Sequence, residues 1–207
     1  MKMKVLMLNG SPRKNGNTMT ALLEMQKVFT EEGVESEIVQ IGSRPIRGCI
    51  ACNGCRKAGH CVLDDELTEL YPKFEAADGL VLGAPVYYAS ANGALLAAAQ
   101  RLFYGSNFDL RMKVGAAVCA ARRGGLTAAF DELNKFFTIS GMPVASGQYW
   151  NGVHGTMPGE AVQDLEGMQM MRTLARNMTF LMRAIADAKA KYGLPAEEPH
   201  VATNFIR

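Results

Sequence analysis

Apolar residues recur along the chain in two rhythms. Compact apolar runs at 4–11 (KVLMLNGS), 79–88 (GLVLGAPVYY) and 113–121 (KVGAAVCAA) have the length of buried strands and end in turn-forming residues. The stretch 34–42 (VESEIVQIG) alternates polar with apolar, the pattern of a strand with one covered face. A fifth strand is expected over 142–150 (MPVASGQYW). Between these runs, helical spacing predicts helices over 17–33, 64–78, 90–105 and 126–141, and a long final one over 160–193 that stops at Gly193. Asp64, Asp65 and Glu66 open the second of them, where acidic groups suit the helix dipole, and Pro72 predicts a kink within it.

Strands that alternate with helices imply a parallel sheet covered on both faces. The expected fold is therefore α/β, a doubly wound five-stranded parallel sheet of order 2-1-3-4-5. In that order a ligand binds beyond the carboxyl ends of the strands, near the first and third. Residues 1–207 are expected to form one domain, with a cysteine-rich insertion at about 43–63.

Composition narrows the function classes. The 22 Lys and Arg against 20 Asp and Glu leave a formal charge of +2 with no dense basic run, which argues against a dedicated nucleic-acid binder. No apolar stretch is long enough to span a bilayer, and the first run gives way to Asn9 too soon for a signal peptide. A cytoplasmic location is expected, where thiols stay reduced and clustered cysteines bind metal or do redox chemistry.

The segment after the first strand, 9–18 (NGSPRKNGNT), holds Gly10, Ser11, Arg13, Lys14, Gly16, Asn17 and Thr18 and then opens a helix. Small residues let amide N–H groups approach an anion, hydroxyls and a guanidinium add donors, and a helix start adds free amides. This suits a phosphate monoester. It is neither a Walker A loop nor the dinucleotide fingerprint, and a plain strand-to-helix turn is the competing reading. Two more loops leave the same sheet edge. One is 83–93 (GAPVYYASANG) with Pro85, Val86, Tyr87, Tyr88 and Ser90, and the other is 119–125 (CAARRGG) with Ala121, Arg122, Gly124 and Gly125. Together they suit a flat ring system whose phosphate lies in the first loop.

Four of the five cysteines fall in 48–61 (GCIACNGCRKAGHC), spaced Cys49-x2-Cys52-x2-Cys55-x5-Cys61. A cysteine at every third residue resembles cubane iron–sulfur ligation more than the separated pairs of zinc sites. Zinc, or thiols with no metal, remain open on spacing alone. Arg47, Arg56 and Lys57 nearby favour ionised thiols.

NGSPRKNGNT, GAPVYYAS and ARRGG, in this order, resemble the flavodoxin-like NAD(P)H-dependent FMN reductases, and the compact cysteine motif resembles their iron–sulfur flavoprotein subgroup. The resemblance covers nearly the whole chain. It implies FMN, with its phosphate at Ser11, Arg13, Gly16, Asn17 and Thr18. Its ring would lie against Pro85 to Tyr88 and Ala121 to Gly125. It also implies one [4Fe–4S] cluster held by Cys49, Cys52, Cys55 and Cys61. In the same subunit a cluster there would lie on the order of 10–20 Å from the flavin by strand spacing, and the family suggests that oligomer contacts bring it nearer to a neighbour's flavin.

The function expected is a flavin oxidoreductase that passes electrons between FMN, the cluster and a redox partner. No nicotinamide-binding motif is visible, so the donor stays open between NAD(P)H and a ferredoxin, with a small molecule or a redox protein as the expected partner. A cluster-free reductase of flavins, quinones or nitro and azo compounds, a flavodoxin-like carrier and a zinc-stabilised binding module are the alternatives. No catalytic side chain is nominated, because a flavin carries the chemistry. His60 is expected at the surface, His154 to structure a loop and His200 to lie in an extended tail. Cys119 is expected to be a buried small hydrophobe. The methionines of the last helix read as packing or a subunit interface, and that helix predicts a homodimer or homotetramer.

Overall fold

A computed structural model describes residues 2–199 and 201–203, so His200 lies outside the described residues. The elements are β1 (Lys4–Asn9), α1 (Asn17–Glu31), β2 (Glu35–Gln40), α2 (Cys55–Ala58), α3 (Leu70–Ala76), β3 (Gly79–Tyr87), β4 (Ser90–Ala91), α4 (Gly93–Gly105), β5 (Val114–Ala121), α5 (Leu126–Ile139), β6 (Gly152–His154), a 3-10 turn (Glu160–Gln163) and α6 (Leu165–Tyr192). The strands lie in the order β2-β1-β3-β5-β6, each neighbour pair parallel. Counting the parallel strands alone, this is the expected 2-1-3-4-5. The short β4 folds back antiparallel on β3.

Successive strand residues point to opposite faces, and each face has its own core. Val5, Met7, Val81, Ala116 and Val118 pack under α1 and α6 against Leu22, Met25, Phe29, Met171, Leu174 and Met178. Leu6, Leu8, Leu80, Leu82 and Ala117 pack on the other side against Phe74, Leu95, Leu102, Leu133 and Phe137. The α6 methionines are thus core packing. Cys119 is fully buried among the second set, and burial, helped by Glu132, pushes its thiol up to about 12.

The structure corrects three expectations. The fifth strand does not run over 142–150. Val144 makes one parallel bridge to Gly115, then the chain leaves the sheet and returns as β6. The reason lies in α6, whose Asn177 donates to the Ser146 carbonyl at 2.7 Å and whose Thr173 bonds Gln148 at 2.8 Å, drawing those residues off the sheet. The helix expected over 64–78 is confined to Leu70–Ala76, because Asp65 is engaged in a turn and by an arginine described below. Pro72 therefore sits in the first turn of α3, where a missing N–H is tolerated and no kink is needed.

The carboxyl edge is anchored where β1 meets β2 and β3. The Gly10 N–H donates to the Gly83 carbonyl at 2.7 Å, and the Ile41 and Gly42 N–H groups donate to the Asn9 carbonyl at 2.8 and 3.1 Å. At Gly42 the chain after β2 passes so close to the first loop that a Cβ would lie 1.9 Å from the Gly10 oxygen. Gly42→Ala is therefore expected to cost at least ~2 kcal/mol, since the clash is with backbone that cannot step aside. Urea denaturation measures it, with a fall in midpoint and an unchanged slope expected.

Candidate functional site

The loop between β1 and α1 is shaped by side chains that bond to its backbone. Asn9 is fully buried; its Oδ1 accepts from the Ser11 N–H at 3.1 Å and its Nδ2 donates to Gln40 Oε1 at 2.7 Å. Gln40 Nε2 in turn donates to the Ser11 carbonyl. Ser11 Oγ accepts from the Arg13 N–H at 3.2 Å, and the Gly16 N–H closes the turn on the Arg13 carbonyl at 3.1 Å. Helix α1 then begins after Gly16, with no side-chain cap and no acidic residue in its first turn.

This arrangement leaves donors unspent. The first-turn amides of α1 have no partner within the helix, and the Thr18 hydroxyl is buried with no hydrogen-bond partner. Arg13 and Lys14 are exposed and pair with no carboxylate among the described residues. Donors, helix dipole and free cations at one loop fit a phosphate. Of the sequence-predicted anion ligands, Ser11, Gly16 and Thr18 are buried in this loop and Arg13 stands at its rim. Asn17 faces sideways: its Oδ1 accepts from the Ala161 N–H at 3.0 Å, tying the loop to the segment that follows β6.

The two expected ring loops meet. Gly125 has φ +84°, and a Cβ there would fall 2.9 Å from Ala89 Cα and 3.0 Å from Val86 Cγ1, so only glycine allows the approach. Between β3 and β4 the turn residues Tyr88 and Ala89 both have positive φ, 51° and 61°, a costly conformation for a tyrosine. Glu132 of α5 holds that hairpin: its Oε2 accepts from Ser90 Oγ at 2.8 Å and from the Ala91 N–H at 2.9 Å. Ser90 is thereby committed to the protein, while Tyr87 and Tyr88 are exposed and Pro85 and Val86 half-buried beside them. Ala121 is buried at the end of β5, and Arg122 and Gly124 are exposed beyond it. His154 has its backbone N–H and its Nδ1 on Asp164 Oδ2, at 2.7 and 3.3 Å, which holds the loop after β6.

Cys49, Cys52, Cys55 and Cys61 line one pocket, together with Asn53, Arg101 and Tyr104. The segment starts at the carboxyl edge but runs down the flank of α4, so the thiols lie against its last turns. Among the described residues, no three Cys, His, Asp or Glu side chains converge closely enough to grip a single metal ion. Four thiols lining one pocket are a donor set that fits iron–sulfur ligation, which is built on cysteine thiolates. His60 is exposed, its Nδ1 3.0 Å from the Cys61 carbonyl, and does not line that pocket.

Sequence reasoning missed the residue that holds this segment. Arg101 of α4 is buried, with 1% of its surface exposed. It forks onto Asp65 (Nη1 to Oδ2 at 2.6 Å, Nη2 to Oδ1 at 2.9 Å), reaches the Arg47 and Leu63 carbonyls at 3.1 and 3.2 Å, and points Nε at Cys61 Sγ at 3.2 Å. Tyr104, one turn on, donates to Asn53 Oδ1 at 3.0 Å. The only sequence signal was position: Arg101 stands beside the buried stripe of Leu95, Ala98, Ala99 and Leu102.

Residues 3–156 match the family described as NADPH-dependent FMN reductase. The chain belongs to this family. Within it, the chain falls in the iron–sulfur flavoprotein subgroup: the iron-sulfur flavoproteins of Methanocaldococcus jannaschii and Methanosarcina thermophila are each 33% identical to it over 193 residues, covering 88% and 91% of this chain and 99% and 100% of theirs. Family membership makes it a flavin-dependent oxidoreductase. The fold is shared with RosB bound to the intermediate 8-demethyl-8-formylriboflavin-5'-phosphate (TM-score 0.71, 20% identity, 99% of this chain and 92% of that one). It is shared too with an NAD(P)H:quinone oxidoreductase from Methanothermobacter marburgensis (TM-score 0.65, 17% identity, 86% and 98%).

Asp65 makes the cysteine segment sensitive to acid. The hydrogen bonds from Arg101 hold its carboxyl below the usual carboxylate range, with the Leu67 N–H helping and burial opposing. A lowered carboxylate contributes stability above its unfolded value, about 3.9, and loses it as pH falls through the folded one. Asp65→Asn is expected to cost ~3 kcal/mol near neutrality, by leaving the Arg101 charge unpaired. The variant should then lose less stability than the parent between about pH 5 and pH 3. Thermal melts across that range measure both effects.

Proposed function

We propose that the chain binds FMN at the β1–α1 loop and a [4Fe–4S] cluster at the four cysteines, and passes electrons between these groups and a redox partner. The observation that carries the flavin assignment is the first loop: an uncapped helix start, a buried hydroxyl without a partner, and unpaired Arg13 and Lys14. The cluster assignment is supported by the four sulfurs around one pocket and by the names of the relatives.

FMN supplies exchange between two-electron and one-electron transfer, and the cluster supplies one-electron transfer. The chain's own residues bind and orient. Ser11, Gly16, Thr18 and the α1 amides would hold the phosphate, with Asn17 fixing the loop beside them. Pro85 to Tyr88 would meet the ring on one side and Ala121 to Gly125 on the other, the hairpin held in place by Glu132. Arg122 and Arg123, exposed and unpaired among the described residues, leave a cationic rim that suits the phosphates of NAD(P)H or the acidic face of a ferredoxin-like partner. The protein is proposed to work in the cytoplasm as a homodimer or homotetramer.

Ser11→Ala with Thr18→Ala is expected to weaken FMN binding by about tenfold or more, because hydrogen bonds to a charged phosphate are worth roughly 1.5–3 kcal/mol. Fluorescence titration of the flavin-free protein measures it, and an unchanged Kd would overturn the site. Cys52→Ser is expected to abolish bound iron and sulfide in anaerobically purified protein while FMN stays stoichiometric. A parent protein with FMN but neither iron nor sulfide would instead indicate the cluster-free reductase.

A further inference from the structure

We propose that Arg101 sets the reduction potential of the cluster through its Nε–H bond to Cys61 Sγ. The inference rests on the cluster reading given above. Placing a guanidinium in the interior costs several kcal/mol unless all its donors are met. Arg101 offers five N–H groups, and the structure engages each: two on Asp65, one each on the Arg47 and Leu63 carbonyls, and one on the Cys61 sulfur.

These five bonds do different things. The fork onto Asp65 balances the charge, and the carbonyl bonds fix the chain on either side of the cysteines. The Nε–H projects from the other edge of the guanidinium and ends on a sulfur. Among the described residues, no comparable donor reaches the other three thiols. Cys49 Sγ has only the nearby Ala51 N–H at 3.4 Å, and Cys55 Sγ stands 3.9 Å from the Tyr104 carbonyl, a contact that needs the thiol proton. No side-chain hydrogen bond reaches Cys52 Sγ among the described residues. One sulfur of the four therefore receives a charge-assisted hydrogen bond from a buried cation.

A donor on a ligand sulfur draws electron density from it and favours the reduced, more negative cluster, which raises the potential. The same frame fixes the Cys61 side chain, because Tyr71 donates to the Arg101 carbonyl at 2.8 Å and steadies that turn of α4. Arg101 is thus a positioning residue whose electronic effect reaches the cluster through Cys61.

The test is Arg101→Lys, which keeps a positive charge but loses the planar donor set, studied as the anaerobically purified protein. EPR-monitored redox titration should show the cluster's reduced-to-oxidised ratio at fixed potential falling by about tenfold, a drop of about 59 mV for one electron. The FMN potential should not move. Full iron and sulfide with an unshifted cluster potential would overturn the proposal while leaving the cluster reading intact. A parent protein without iron and sulfide would overturn both. Should the lysine variant fail to retain its cluster, the parent protein grown with 15N-arginine decides. Pulsed EPR of the reduced cluster should then show a 15N coupling that persists in Arg47→Lys and Arg56→Lys, and its absence would overturn the proposal.

Discussion

The buried amide of Asn9 holds the functional edge of this protein together. It has no exposed surface, so each of its polar atoms must find a partner within the fold. Its Oδ1 takes the Ser11 N–H, its Nδ2 reaches Gln40, and its carbonyl takes two N–H groups from the chain leaving β2. Three segments, the end of β1, the first loop and the exit from β2, are thereby locked in one arrangement. Without that lock the α1 amides would have no fixed direction in which to present a binding site. Gly42 belongs to the same constraint, since the exit from β2 packs on the Gly10 carbonyl at a distance no side chain permits.

The two candidate sites follow opposite physical rules. At the first loop the protein satisfies the backbone that shapes the turn and leaves the α1 amides and the Thr18 hydroxyl without partners, a set that the proposed anion would complete. At the cysteines the frame is complete without a ligand. Arg101 is fully hydrogen-bonded, Asp65 balances its charge, and the four cysteines line the pocket beside them. On the proposed reading, the first would take a cofactor by exchange of water for phosphate, and the second would hold one by covalent ligation.

Much of this was legible in the chain. Strand order followed from alternating strand and helix patterns, and the three loops at the carboxyl edge followed from it, because a parallel sheet brings all strand ends to one side. The spacing of the cysteines pointed to four thiols in one place, and Cys49, Cys52, Cys55 and Cys61 do line one pocket. What escaped reading was governed by long-range polar contacts. The last strand breaks because side chains of α6 donate to the Ser146 carbonyl and to the Gln148 side-chain oxygen, which no local pattern announces. The helix at 64–78 begins late because Asp65 serves Arg101, which lies 36 positions further on. Asn9 and Arg101 look like ordinary polar residues, and only the folded chain shows them to be buried. Ser90 was read as a cofactor contact from its place in the loop, and the structure gives its hydroxyl to Glu132.

Helix α4 joins the two sites and keeps them apart. Its first residues follow the hairpin that carries Tyr87 and Tyr88, and Arg101 lies eight residues into it, about 12 Å along the axis at 1.5 Å per residue. The helix packs on the sheet through Leu95, Ala98, Ala99 and Leu102, so it behaves as a rigid strut rather than a tether. A change at the cysteines reaches the hairpin only if the helix itself moves, and its packing in a dense core resists small displacements. Glu132 adds a second anchor, because it fixes the hairpin from α5 and not from α4. The two candidate sites are therefore held at a fixed spacing by one helix, each shaped by its own neighbours, which suits the proposed electron exchange.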